Sequence, residues 1–184
     1  MVNVNTDLIL RAQKGDEAVI SELYEHYHLP VFRYLYYRVG DRETAEDLTS
    51  EVFLRMLRFL GGFHPPSATF QSWLFQIARN LANDHFRSTQ AHQQVQLEEN
   101  MTENNDLPDG IAERSLTSES LRQALTVLSE DQRDVIVLRF VAGMPIAEVA
   151  QAMNKSEDSI KGLQRRGLAS LRGILTDWEV SYVG

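Results

Sequence analysis

Residues 91–115 carry no sustained apolar period, and this gap divides the chain into two stretches that read as two domains. The segment is rich in Gln, Asn, Glu and Asp and contains Pro108-Asp109-Gly110, which is the composition of a linker. It also concentrates the negative charge. The 184 residues carry a formal net charge of -8. Residues 91–120 hold one basic and seven acidic side chains, against nine and eleven in residues 1–90 and eight and eight in residues 121–184. The organisation expected is an N-terminal domain over 1–90, an acidic linker over 91–115 and a C-terminal domain over 116–184, each short enough to be one small domain.

Both domains are expected to be all-α, because apolar residues recur at helical spacing and no β-branched run is framed as a strand. Asp7 and Asp16 are candidate N-caps on either side of Gly15, and Pro30 is expected to open a helix that ends near Val39 before Gly40-Asp41. A helix over 42–60 should bury Ala45, Leu48, Val52, Met56 and Phe59. Gly61-Gly62 and Pro65-Pro66 mark a loop over 61–69, and a helix over 70–89 should bury Trp73, Leu74, Ile77, Ala78 and Leu81.

Composition removes several classes of function. With no cysteine there are no disulfides, zinc-thiolate sites, iron-sulfur clusters or thiol nucleophiles. No stretch approaches the roughly 18 apolar residues needed to cross a bilayer, and the N-terminus lacks a basic and apolar leader. A soluble cytoplasmic protein without membrane insertion is expected. There is no phosphate-binding glycine loop and no nucleophile elbow. Glu25-His26-Tyr27-His28 contains one Glu-x-x-His, whereas a di-iron carboxylate site needs two such motifs and two further glutamates. The chain is therefore read as a non-enzyme without cofactor, metal or catalytic residues.

The polar faces of the helices are more informative. Asp47 and Glu51 form a like-charge i,i+4 pair that a basic partner would relieve, unless Glu51 simply pairs with Arg55. Arg79, Asn83 and Arg87 step by four beside Asn80, with Phe70, Trp73 and Phe86 nearby. Guanidinium, amide and aromatic groups on one surface suit phosphate contact and base stacking on a single strand, although a tryptophan at this spacing also suits a core.

In the C-terminal domain, Ser129 and Gln132 have capping-box spacing ahead of Val135, Ile136 and Leu138. Gly143 ends that helix and Pro145 is expected at the first position of a short helix over 146–153. Asn154 tolerates a left-handed turn, and Ser156 caps a further helix anchored by Ile160, with small Ala150 at the crossing. This is a helix-turn-helix candidate whose segment 154–172 has five basic and two acidic residues, a local basic patch in an acidic chain. A plain helix pair with a solvated basic face is the competing reading.

Together the halves resemble the sigma-70 family of bacterial RNA polymerase sigma factors, and within it the extracytoplasmic function (ECF) group. Ala45-Glu46-Asp47-Leu48-Thr49-Ser50-Glu51-Val52-Phe53-Leu54 is similar to the A-E-D-L-x-Q-E-x-F-x signature of region 2, with Ser50 for Gln. Phe70-Gln71-Ser72-Trp73-Leu74-Phe75-Gln76-Ile77-Ala78-Arg79-Asn80 is similar to F-x-x-W-L-x-x-I-A-R-N. Leu128 to Arg133 resembles the L-P-x-x-x-R that opens region 4, with Ser129 for Pro, and Ile146-Ala147-Glu148-Val149-Ala150 through Ser159-Ile160-Lys161 resembles its helix-turn-helix, with Asn154 for Gly and Gly162 for Ser.

The resemblance implies partners: the β and β′ subunits of core RNA polymerase, promoter DNA and a regulatory anti-sigma factor. It assigns Asp47, Leu48, Glu51, Phe53 and Arg55 to polymerase, and the 61–69 loop to capture of a flipped base at the minus-10 element. Phe63, Phe70, Trp73, Arg79, Asn80, Asn83 and Arg87 would serve that element. Ser156, Ser159, Lys161, Gln164, Arg165 and Arg166 would read the minus-35 element. The alternative is a helix-turn-helix regulator that never binds polymerase, which leaves the Asp47 and Trp73 helices without a task.

Overall fold

The computed structural model describes residues 6–64, 68–95 and 121–182, so most of the expected linker lies outside the described residues. The described residues contain helices and no strand. The first group is α1 (Thr6–Gln13), α2 (Glu17–Val39), α3 (Arg42–Phe59) with a 3-10 turn at Leu60–Gly62, and α4 (Phe70–Val95). The second is a helical segment over 121–126 (α5), α6 (Glu130–Ile136) with a π-type turn at Val137–Val141, α7 (Ile146–Met153) and α8 (Glu157–Tyr182).

α2 starts where the Asp16 side chain accepts from Val19 N–H and stops at Gly40, whose φ of 82° requires a residue without a Cβ. Contrary to expectation, Pro30 lies inside this helix rather than at the start of another. The buried residues Leu23, Tyr27, Val31, Tyr34, Leu35 and Arg38 hold one face in register across it, so burial outweighs the backbone hydrogen bond that proline removes. Asp7 likewise falls in the first turn of α1 rather than at its cap.

Asp41 caps α3 through Thr44 N–H at 2.7 Å. The buried face of α3 is Ala45, Thr49, Val52, Phe53 and Met56, with the Thr49 hydroxyl donating to Ala45 C=O. Leu48 is half-buried and Phe59 is 56% exposed, which corrects the expected stripe: its last member turns toward solvent at the 3-10 turn. On α4, Leu74, Ala78 and Leu81 are buried as expected, Trp73 and Ile77 are half-buried, and Phe75 is fully buried.

Ser129 and Gln132 complete both halves of the capping box on α6. α7 ends at Asn154 in the left-handed region (φ 52°), and Ser156 Oγ accepts from Ser159 N–H to start α8. Pro145 occupies the N-cap of α7 rather than its first helical position. Ala150 and Ile160 are buried where the two helices cross. Gly167 admits α6 closely: a Cβ there would lie 3.1 Å from Ile136 Cγ1. A single apolar core runs through both groups, because α7 packs on α4 and the π-type turn packs on α2.

Candidate functional surfaces

On α3 the Asp47 side chain is exposed, and no hydrogen bond or ion pair engages it among the described residues. Glu51 is not left in repulsion with it, because Arg55 Nε lies 2.8 Å from Glu51 Oε1. Arg42 and Glu46 pair in the same way at 2.8 Å. Leu48 and Arg55 are half-exposed and reachable. Phe53 is not: it is 5% exposed, with its ring 4.7 Å from that of the exposed Tyr24, so it supports the helix from beneath.

The face of α4 is occupied from within the protein. Phe63, Phe70 and Trp73 form one aromatic cluster with centroid separations of 4.9 to 6.0 Å. Phe63 and Phe70 are buried in it, which corrects the expectation of exposed stacking rings and leaves half-buried Trp73 as the reachable member. Arg79 Nε donates to Asp134 Oδ2 at 2.9 Å and its Nη2 to Asp131 Oδ1 at 3.1 Å. Burial works against the Arg79 charge, yet the facing Asp134 carboxylate more than offsets it and raises the guanidinium pKa. Asn83 Oδ1 accepts from Arg38 Nη2 at 3.1 Å. Only Asn80 and Arg87 of this set are exposed, Arg87 beside Asp84 at 3.4 Å.

The centre of this contact is Asp134, which is 0% exposed. Its Oδ1 accepts from Tyr34 Oη at 2.9 Å and from Arg38 Nε at 2.8 Å. Burial, followed by the Asp134 charge, pushes the Tyr34 hydroxyl well above the ordinary tyrosine range, so it stays a donor. Lys155 Nζ reaches Asp131 Oδ2 at 3.0 Å, Arg38 Nη2 lies 3.5 Å from Glu130 Oε2, and the Arg38 guanidinium sits 4.9 Å from the Phe86 ring centre. Beside this cluster, Thr69 N–H and the Ser72 hydroxyl lie 3.4 and 2.9 Å from Gln151 Oε1 on α7. Sequence reasoning missed Tyr34, Arg38, Asp134 and Gln151. The legible signal was an arginine at a core position of α2 and an aspartate just ahead of Val135 on α6, each of which needs a buried partner.

The outer face of α8 is open. Ser156, Ser159, Lys161, Arg165 and Arg166 are exposed, with Lys161 3.3 Å from Asp158. Gln164 is held from behind, accepting from Arg139 Nε at 3.2 Å, while Arg139 also donates to Met144 C=O. Among the described residues there is no cluster of three His, Asp or Glu able to hold a metal ion, and no helix long and apolar enough to cross a membrane.

Two helical groups in this order, the second built on a helix-turn-helix with an open basic face, define the architecture of a sigma-70 protein. Residues 23–92 match the family model Sigma-70 region 2, and residues 124–173 match Sigma-70, region 4. The chain is similar to the ECF RNA polymerase sigma factor BldN of Streptomyces coelicolor, 41% identical over 174 residues that span 93% of this chain and 66% of BldN. It is also similar to the ECF RNA polymerase sigma factor SigX of Bacillus subtilis, 36% identical over 162 residues covering 85% of this chain and 83% of SigX. Its fold is like that of CnrH, solved in complex with the cytosolic domain of CnrY, with a TM-score of 0.73 at 22% identity over 92% of this chain and 96% of that one. The chain belongs to the ECF group of the sigma-70 family.

Proposed function

We propose that this protein binds core RNA polymerase and directs it to a particular class of promoter, acting as a specificity subunit rather than as a catalyst. The observation that carries the reading is the presence on one chain of two surfaces of different kind: the exposed face of α3 with Asp47 unengaged, and the open basic face of α8. A DNA-binding regulator needs only the second. Asp47, Leu48 and Glu51 would meet the clamp of the β′ subunit, and the region 4 group would meet β. Trp73, Arg79, Asn80, Asn83 and Arg87 would hold the non-template strand at minus-10. The binding energy there offsets the few kcal/mol of unstacking a base. Ser159, Lys161, Gln164, Arg165 and Arg166 would read the minus-35 duplex, Arg and Gln being able to pair with base edges and Lys with phosphate. An anti-sigma protein is the regulator this reading calls for.

Capture of purified core polymerase by the full chain, followed by run-off transcription on the promoter of its own operon, tests the proposal. Binding to core with transcripts from a fixed start site supports it. Binding to duplex DNA with no affinity for core replaces it with the helix-turn-helix regulator.

A further inference from the structure

We infer that Arg139 is a positioning residue for base readout: by holding the oxygen of the Gln164 amide it turns only N–H donors toward the minus-35 duplex, so that Gln164 selects guanine or thymine over adenine and cytosine. The inference rests on the recognition role proposed for α8. Arg139 Nε lies 3.2 Å from Gln164 Oε1. A guanidinium has five donors and no acceptor, so it can hold the oxygen of a carboxamide and never its nitrogen. The partner therefore fixes which way the amide faces. Gln164 Nε2 has no hydrogen-bond partner among the described residues, yet it is not a buried atom, which leaves its N–H groups open to solvent. Lys161, Gln164 and Arg165 stand at i, i+3 and i+4 on α8 and so share one patch of the helix surface.

Arg139 is itself fixed before DNA arrives. It sits in the π-type turn Val137–Val141, closed by Ala142 N–H on Val137 C=O at 3.0 Å, and its Nη1 donates to Met144 C=O ahead of α7. Met144 N–H donates back to Leu138 C=O at 3.0 Å, which ties the anchoring carbonyl to the turn that carries the arginine. The cation at Oε1 also polarises the amide and strengthens Nε2 as a donor. An unrestrained glutamine pairs with adenine by two bonds, Oε1 accepting from N6 and Nε2 donating to N7. With Oε1 turned inward that pairing is lost. The outward N–H groups still fit guanine, whose N7 and O6 both accept, and thymine through O4, whereas adenine and cytosine place an amino donor in the groove.

Complexes of core polymerase with the parent, Gln164→Ala and Arg139→Met, each the full chain, are used at fixed salt to select from promoters randomised across the minus-35 element. Methionine keeps an unbranched stem at 139 and removes its donors. The position whose preference Gln164→Ala flattens is the one Gln164 reads. There the parent is expected to favour guanine or thymine by about fivefold or more, and Arg139→Met to move the preference toward adenine while the order of bases elsewhere is kept. Loss of a merely supporting contact would instead weaken all sequences alike. A parent preference for adenine or cytosine at that position overturns the inference. So does an unchanged preference in folded Arg139→Met, or a Gln164→Ala variant that flattens no position. Should Arg139→Met lose its helical signal, the base that the parent prefers and Gln164→Ala does not decides the matter. Failure of the parent to bind core polymerase would sink the sigma-factor reading, and the same selection by the free chain on duplex DNA would still decide this inference.

Discussion

Arg38 Nε and Asp134 Oδ1 meet at 2.8 Å from positions 96 apart in the chain, with the two side chains 1% and 0% exposed. A buried ion pair of this kind is weak evidence for net stability, because desolvation of both charges opposes their attraction. It is better evidence for register. Few other arrangements of α6 against α2 and α4 leave all three cation and donor groups satisfied, whereas the apolar surfaces around them would tolerate sliding.

Tyr34→Phe isolates the neutral member of this cluster. The substitution keeps the ring that packs on Phe75 and deletes only the hydroxyl donating to Asp134. Two guanidinium groups still serve the carboxylate, so the expected loss is about 1–2 kcal/mol, at the lower end for a hydrogen bond to a charged group. Urea unfolding reads it as a lower midpoint at unchanged slope. An unaltered midpoint would mean that the hydroxyl gains nothing over its hydration in the unfolded chain.

Glu148 supplies a pH signature in the same interface. Its Oε2 is buried with no hydrogen-bond partner; burial raises the carboxyl above the ordinary glutamate range, and the hydrogen bond from Thr69 only partly opposes this. The groups facing it are Thr69 and Tyr27, whose hydroxyl is pushed up to about 12 by burial and then by the Glu148 charge. The folded protein therefore holds the Glu148 proton more tightly than the unfolded chain does. The stability tied to that proton is complete below the ordinary glutamate pKa and is lost as pH rises through the raised value. Glu148→Gln should melt higher than the parent at neutral pH, with the gap closing toward about pH 4. A gap independent of pH would show that packing, not charge, separates the two proteins.

Much of this arrangement was legible in the residues, and the rest was not for definable reasons. Local rules sufficed for Asp16, Ser129, Asn154 and Ser156, because a cap or a left-handed turn is decided within four residues. The same local logic failed at Pro30, where burial of Val31, Tyr34 and Leu35 overrides the breaker. Phe53 and Phe70 belong to the motifs that carry the resemblance, yet a motif does not distinguish a ring that contacts a partner from one that props up the surface that does. Pairings such as Arg79 with Asp134 and Ser72 with Gln151 join the two halves, and no spacing rule reaches across a linker.

Asp47→Ala tests the polymerase face proposed for α3. Glu51 already has Arg55 and gains less from a new cation, whereas Asp47 is exposed and unengaged among the described residues. Removing it should leave the melting temperature nearly unchanged, as an exposed substitution does. It should weaken core polymerase binding by about fivefold or more, roughly 1 kcal/mol. Titration of labelled core with Asp47→Ala and with the parent measures this, and equal affinities would remove Asp47 from the interface.

Arg165 and Lys161 separate reading from holding on α8. Both are exposed, but Lys161 already shares Asp158 at 3.3 Å, and a lysine serves phosphate as a point charge whereas an arginine can grip a base edge with two donors. Binding of the polymerase complex to promoters varied at minus-35 should therefore respond differently to the two alanine variants. Arg165→Ala is expected to lose about 1–3 kcal/mol on the preferred sequence and little on the others, flattening the preference. Lys161→Ala should weaken all sequences alike and lower the salt dependence of binding by about one phosphate contact. If Arg165→Ala also weakens every sequence equally at matched salt, its guanidinium touches only the backbone, and specificity at minus-35 passes to Gln164 or Arg166.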